Sequence, residues 1–281
     1  MRAPTRRLRF DTTGRVLGLV YGIVVYTAFI AVFAYSIAFI ENASIEVAGI
    51  QVVPRTVDDG GPMTPGVLSV VIDALLLSLF AIQHSVMARS TFKVWWTRFV
   101  PAPLERSTYV LLATACLAAL MWWWHPIRVV VWDVNNDIAH SVLILVSLCG
   151  WLIVLLSTFL IDHFDLFGLR QVVANARRQS QTSPQFVIPF WYRLVRHPIY
   201  VGFLIAFWAA PVMTTGHLLF AGASTVYIVI GIQLEERDLV AAFGDDYVSY
   251  RNRVPMLIPG RRRRRGDRTN TAELRGGTIK R

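Results

Sequence analysis

The spacing of its apolar runs constrains this chain more than any other feature. Runs of about 17 to 25 apolar residues occur at 16–40, 66–88, 107–125, 139–161, 199–215 and 217–234. At about 1.5 Å of rise per residue, each crosses or nearly crosses a hydrocarbon layer of roughly 30 Å. Lipid offers the backbone no hydrogen-bond partners, so such runs are expected as helices. The expected fold class is all-α: a polytopic helical membrane protein of about six transmembrane helices. The last two runs, joined only by Thr214-Thr215-Gly216-His217, are expected to form a C-terminal hairpin.

Between the runs no polar stretch is long enough for a separate soluble unit, in keeping with 54% hydrophobic and only 16% charged residues. The expected organisation is a basic N-terminus at 1–15, one transmembrane domain at 16–259, and a basic, disordered tail at 260–281. The first run continues for about 25 residues without a small-residue cleavage site, so it reads as a spanning helix rather than a signal peptide. Cys116 and Cys149 both fall inside apolar runs and read as small buried hydrophobes, not as a disulfide framework.

A net charge of +10 invites a nucleic-acid reading, but the placement of the charges argues against it. Arginines concentrate at the N-terminus, around 89–106 and 170–196, and at 261–265, whereas Glu41, Glu46, Asp58, Asp59, Asp133 and Asp137 lie in the alternate loops. That alternation predicts basic segments on the inner side, with both termini cytoplasmic and the arginines touching lipid headgroups. The preference for Arg over Lys suggests a bacterial cytoplasmic membrane. Trp122, Trp123 and Trp124 end the third run where an aromatic belt is expected.

Several groups are costly in lipid and so call for an explanation, at about 2.5–3.5 kcal/mol each on insertion scales. Asp73, Phe80, His84 and Met87 fall on one face of the second span. Asp73 reads as an interhelical hydrogen bond; His84 reads equally well as a satisfied interior histidine or as part of a site. Asp162, His163, Asp165, Arg170 and Gln171 cluster after the fourth span. The stretch Val195-Arg196-His197-Pro198-Ile199-Tyr200-Val201-Gly202 opens the fifth, and Glu235 and Glu236 end the hairpin's return helix beside it. Pro198 suits a first helical turn, whose N–H groups favour an anionic or hydroxyl-rich ligand. Gly202 is expected to let backbone approach a ligand, and Arg196 reads as a surface anchor. His84, His163, His197 and the acids are all metal-ligand types, but no HxxxH or HExxH spacing joins them, so no metal is expected.

The pattern R-H-P-x-Y-x-G at 196–202, E-E at 235–236 and F-G-x-x-Y-x-x-Y-x-x-x-V-P at 243–255 resembles the isoprenylcysteine carboxyl methyltransferase superfamily. The segments FAIQHSVMAR, ERSTYVL, DHFDLFGLRQV and GHLLFAGASTVYIVIGIQLEERDLVAAFG are more similar to its nurim-like branch, most of all to bacterial methanethiol S-methyltransferases. The likeness runs from about 66 to 259. It implies an integral membrane enzyme that takes S-adenosyl-L-methionine and methylates methanethiol, or a similar small lipophilic thiol, to a sulfide such as dimethyl sulfide.

Carried over position by position, the resemblance implies a cofactor site of Pro184, Gln185, Phe186, Val187, Tyr192, His197, Pro198, Ile199, Tyr200 and Glu235. The family often has Gly two residues before the tyrosine matched to Tyr192; Phe190 stands here. A sulfonium is drawn to aromatic faces such as Tyr192 and Tyr200, and Glu235 can accept from an amine or hydroxyl. For the thiol's proton, His84, His163 and Asp162 are the candidates. Carboxyl methylation of a prenylated or other lipophilic substrate, and a non-catalytic membrane scaffold, stay open beside this reading.

Overall fold

The computed structural model describes residues 11–179 and 188–260. Five helices are long and apolar enough to cross a membrane: α1 (Thr12–Ile40), α2 (Gly66–Ala88), α4 (Ala102–Trp122), α5 (Asp137–Ile161) and α9 (Thr215–Phe243). Their lipid-side residues, such as Leu75, Leu79 and Ile82 on α2 and Leu145 and Leu152 on α5, are exposed apolar side chains over whole helix faces. A water-soluble surface does not carry patches of that extent. The protein is a polytopic helical membrane protein.

Each span starts on a local signal. The Asp11 carboxylate accepts from the Gly14 N–H at 2.7 Å, Asn136 from Ala139 at 2.9 Å and Thr214 from His217 at 3.0 Å. These bonds satisfy amides left without intrahelical partners. Pro65 and Pro101 precede α2 and α4. Helix α1 begins inside the stretch expected as the basic N-terminus; the rest of both basic ends, 1–10 and 261–281, lies outside the described residues.

The hairpin is unequal. Helix α8 (Pro198–Trp208) has 11 residues and stops before Pro211, whose preceding residues are pushed away from helical backbone. Residues 212–214 instead form β4 (Val212–Thr214), paired antiparallel with β3 (Val130–Asp133). The return helix α9 runs 29 residues, nine beyond the expected end, and stops at Gly244 with φ +56. A second ribbon, β1 (Glu46–Val47) with β2 (Ile50–Gln51), lies in the loop between α1 and α2.

Helix α8 packs most closely on α5, while α1 lies on α4 and α2 on α4 and α9. The α5–α8 contact is backbone on backbone: a Cβ on Gly202 would stand 2.6 Å from the Gly150 carbonyl oxygen, and one on Gly150 2.6 Å from the Ala206 nitrogen. Gly202 therefore makes room for a neighbouring helix, not for a ligand as expected. Beside this pair, toward the loop between α1 and α2, lies an aromatic core of Phe39, Trp124, Trp151, Phe207 and Phe220. That loop closes over it: Val57 is fully buried, its carbonyl accepting from Trp124 Nε1 at 2.9 Å. Of the expected aromatic belt, Trp122 and Trp123 face outward and Trp124 belongs to this core. Cys149 likewise faces outward from α5, not into the bundle.

Candidate active site

The Arg196–Gly202 motif is tied down before its helix begins. The N–H groups of Arg196 and His197 donate to the carbonyls of Pro255 (2.9 Å) and Met256 (3.3 Å). These lie just beyond α10 (Asp245–Arg253), so the last part of the chain straps the motif. Pro198 then opens α8 where no N–H is needed.

Arg196 is not the surface anchor expected. Its side chain is 3% exposed and each of its three nitrogens has a partner: Nε and one terminal amino group reach Glu236 Oε1 at 2.7 and 2.6 Å. The other terminal amino group donates to the carbonyls of Arg251 and Val254 at 2.8 Å each. A buried guanidinium would be strongly unfavourable alone; here a carboxylate neutralises it and two carbonyls take both N–H groups of one terminal nitrogen.

This contact divides the two glutamates. Glu236, 13% exposed, is neutralised by Arg196 and also stands 3.2 Å from His197 Nε2. Glu235, 44% exposed, accepts from the Tyr200 hydroxyl at 3.0 Å and lies 3.7 Å from His197 Nδ1. One acid holds the scaffold, and the other stands partly exposed at the mouth of α8. The Tyr192 phenol belongs to the same place: burial pushes its pKa up, and the Glu235 carboxylate pushes it further. Its backbone carbonyl accepts from the Tyr250 hydroxyl at 2.6 Å. Burial raises Tyr250 itself to about 12, against the opposing pull of Arg196. Phe190, where a glycine was the alternative, opens a 3₁₀ turn over Phe190–Arg193 and points out to the surroundings.

A second wall comes from α2, α4 and α9. The Tyr109 hydroxyl lies 2.9 Å from His84 Nε2, and Phe80 stacks on the His84 ring at 5.3 Å. Phe80 meets Tyr227 edge-on at 6.3 Å, and the Ser85 hydroxyl donates to Tyr227 at 3.4 Å. Tyr227 and Tyr109 are in turn electrostatic neighbours of Tyr200. Arg89 pairs with Asp238 at 3.0 Å and fastens the end of α2 to α9.

The structure therefore brings His84, Tyr192, His197, Tyr200 and Glu235 to one region, with Pro198 and Ile199 in the first turn of α8. Pro184, Gln185, Phe186 and Val187 lie outside the described residues. Asp162 and His163 belong to a different cluster. Asp162 caps α6 (His163–Leu166), accepting from the Asp165 N–H at 3.1 Å, and pairs with Arg170 of α7 (Leu169–Ala176). His163 is held on both nitrogens, by Tyr26 and Thr158 at 2.8 Å each, and stacks on Phe159 at 4.1 Å. Burial lowers its pKa. Asp73 accepts from the His125 N–H at 2.9 Å; His125 lies in the loop beyond α4, so the bond ties α2 to that loop and not to another helix as expected. Sequence reasoning placed Glu236 beside the motif without giving it a role, and passed over Tyr109 and Tyr227, although both are polar groups in apolar runs, the signal used for His84.

No family model and no solved structure matches the chain. Among known proteins it is 50% identical over 248 residues to methanethiol S-methyltransferase 1 of Bradyrhizobium diazoefficiens, covering 88% of this chain and 84% of that one. It is 49% identical over 245 residues to the methanethiol S-methyltransferase of Mycobacterium tuberculosis, covering 87% and 97%. A more distant likeness, 29% over 177 residues and 59% of this chain and 66% of the other, joins it to rat nurim.

Proposed function

The chain belongs to the methanethiol S-methyltransferase family, and on that premise we propose that it moves a methyl group from S-adenosyl-L-methionine to methanethiol, releasing dimethyl sulfide. The observation that carries the donor half is the partly exposed Glu235 carboxylate, without an arginine partner among the described residues, beside Tyr200, His197 and the first turn of α8. That set fits the donor: a carboxylate for its amine or hydroxyls, phenol faces for its sulfonium, and a helix start for its own carboxylate.

When bound, S-adenosyl-L-methionine supplies an electrophilic methyl group. The rest is done by the protein. Tyr192, His197, Pro198, Ile199, Tyr200 and Glu235 orient the donor, with Pro184 to Val187 completing the set by resemblance. Holding the reactants in line is worth up to roughly 7–11 kcal/mol in favourable cases. The thiol loses its proton as its sulfur gains the methyl group, and we assign acceptance of that proton to His84, poised by Tyr109. Asp162 and His163 are assigned to the α5–α7 turn instead, because their polar atoms are committed there.

The whole of 16–259 acts as one unit. The charge alternation supports cytoplasmic ends and a bacterial cytoplasmic membrane, with a small lipophilic thiol arriving by partition from lipid or water. Purified protein given methanethiol and S-adenosyl-L-methionine should release dimethyl sulfide into the headspace. No sulfide, with methyl ester formed on a prenylated cysteine in a parallel assay, would transfer the proposal to carboxyl methylation.

A further inference from the structure

Around the point where α8 enters the bilayer, apolar side chains and arginines share one surface that the site does not use. Phe190 and Leu194 are 69% and 55% exposed, and Ile258, just past the strap, is 82% exposed. Arg193 stands between the first two, and Arg253 closes α10 with Nε donating to the Ser249 carbonyl at 3.2 Å. Among the described residues neither guanidinium has a carboxylate partner. The two line a cavity of about 310 Å³ with Ile188, Tyr250 and Val254. The sequence continues directly into Arg261–Arg265.

Apolar groups flanked by arginines at the head of an apolar helix fit a leaflet with negative charge: the chains dip below the headgroups and the guanidinium forks meet phosphodiesters. The same residues are connected to the site. Pro255 and Met256, between Arg253 and Ile258, carry the carbonyls that hold the Arg196 and His197 backbone, and Tyr250 donates to the Tyr192 carbonyl. We propose that this surface docks an anionic lipid, its phosphodiester between Arg193 and Arg253 and its acyl region against Phe190, Leu194 and Ile258. The lipid seats the strap and thereby tightens binding of the methyl donor. This rests on the donor site proposed above.

The test uses full-length protein in vesicles of phosphatidylcholine alone or doped with phosphatidylglycerol, reading the Kd for S-adenosyl-L-methionine by calorimetry. Phosphatidylglycerol should tighten it about fivefold or more, the usual floor for coupled sites. The double variant R193Q/R253Q should lose that gain and keep the phosphatidylcholine affinity. Equal affinity in both vesicles, a gain that survives the double substitution, or the same gain from inorganic phosphate added to phosphatidylcholine vesicles would each overturn the lipid site. Equal donor affinity in both vesicles, with dimethyl sulfide still formed, would leave the reaction standing while the lipid proposal fell; donor binding in neither would remove the site itself.

Discussion

Glu236 lies between Arg196 and His197, with its Oε1 within 2.7 Å of the guanidinium and 3.2 Å from the imidazole. A single carboxylate oxygen thus fixes the first two polar residues of the motif, while the neighbouring Glu235 takes the third, Tyr200.

Breaking this contact from one side should be worse than removing it altogether. Arg196→Ala strands a nearly buried carboxylate and is expected to cost about 3–5 kcal/mol. The pair Arg196→Met with Glu236→Gln should recover part of that loss. Thermal unfolding in detergent micelles checks both, and equal melting of the single and double variants would count against a buried ion pair.

Glu235→Gln removes charge from a half-exposed position and should leave the melting temperature close to that of the parent. Donor affinity should fall about ten- to hundredfold, the range for a hydrogen bond to a charged group. Tyr200→Phe, which deletes the donor to that same carboxylate, should weaken binding several-fold. Calorimetry reads both directly.

The two histidines are expected to separate. His84→Gln should lower kcat by about 10²–10⁴ with donor affinity unchanged, as for loss of a general base. His163→Gln should keep most of kcat and lose stability, since Tyr26 and Thr158 both lose their ring partner.

His163 also sets a direction with pH. Burial lowers its native pKa below the unfolded value of about 6.5. The unfolded chain therefore binds this proton first. The stability contributed by the neutral ring is complete above about 6.5 and is lost as pH falls from there to the lowered native value. Melting temperatures measured down an acid series should decline less steeply in His163→Gln than in the parent.

Gly202→Ala places a methyl group against the Gly150 carbonyl and the Val154 nitrogen, 2.6 and 2.9 Å away. Such overpacking costs about 1–3 kcal/mol or more, and here it also displaces the helix that carries His197 and Tyr200. Gly222→Ala, with nothing within 4 Å of its added Cβ, is the control that should fold as well as the parent. A melting temperature and kcat in Gly202→Ala equal to the control's would contradict the close crossing.

The spans were legible in the sequence because lipid imposes length and polarity on every segment. The ends were less so. Hydropathy alone carried the fifth run through Pro211, although that proline argues for an earlier stop. It also ended the sixth run at Leu234, although the helix persists through Glu235, Glu236, Arg237 and Asp238 until Gly244 breaks it. At the site, the residue types announced the motif but not which partner each would take. Arg196 looked like any arginine at a membrane surface, because its burial is created by the Arg251 and Val254 carbonyls more than fifty residues away. Gly202 looked like room for a ligand, because Gly150 lies on another helix. The Phe80, Tyr109 and Tyr227 wall depends on three helices meeting, which no local pattern encodes.

The crossing of α5 and α8 has a mechanical consequence. Where side chains separate two helices, rotamer changes absorb small displacements; at Gly150 and Gly202 the peptide planes themselves meet, and that slack is missing. Helix α5 turns a broad apolar face to the acyl chains, so lateral pressure in the bilayer bears on it directly. It is passed undamped to α8, whose first turn carries the residues proposed to orient the donor. On that proposal, the tension of the surrounding membrane becomes one of the forces that sets the alignment of the reacting atoms.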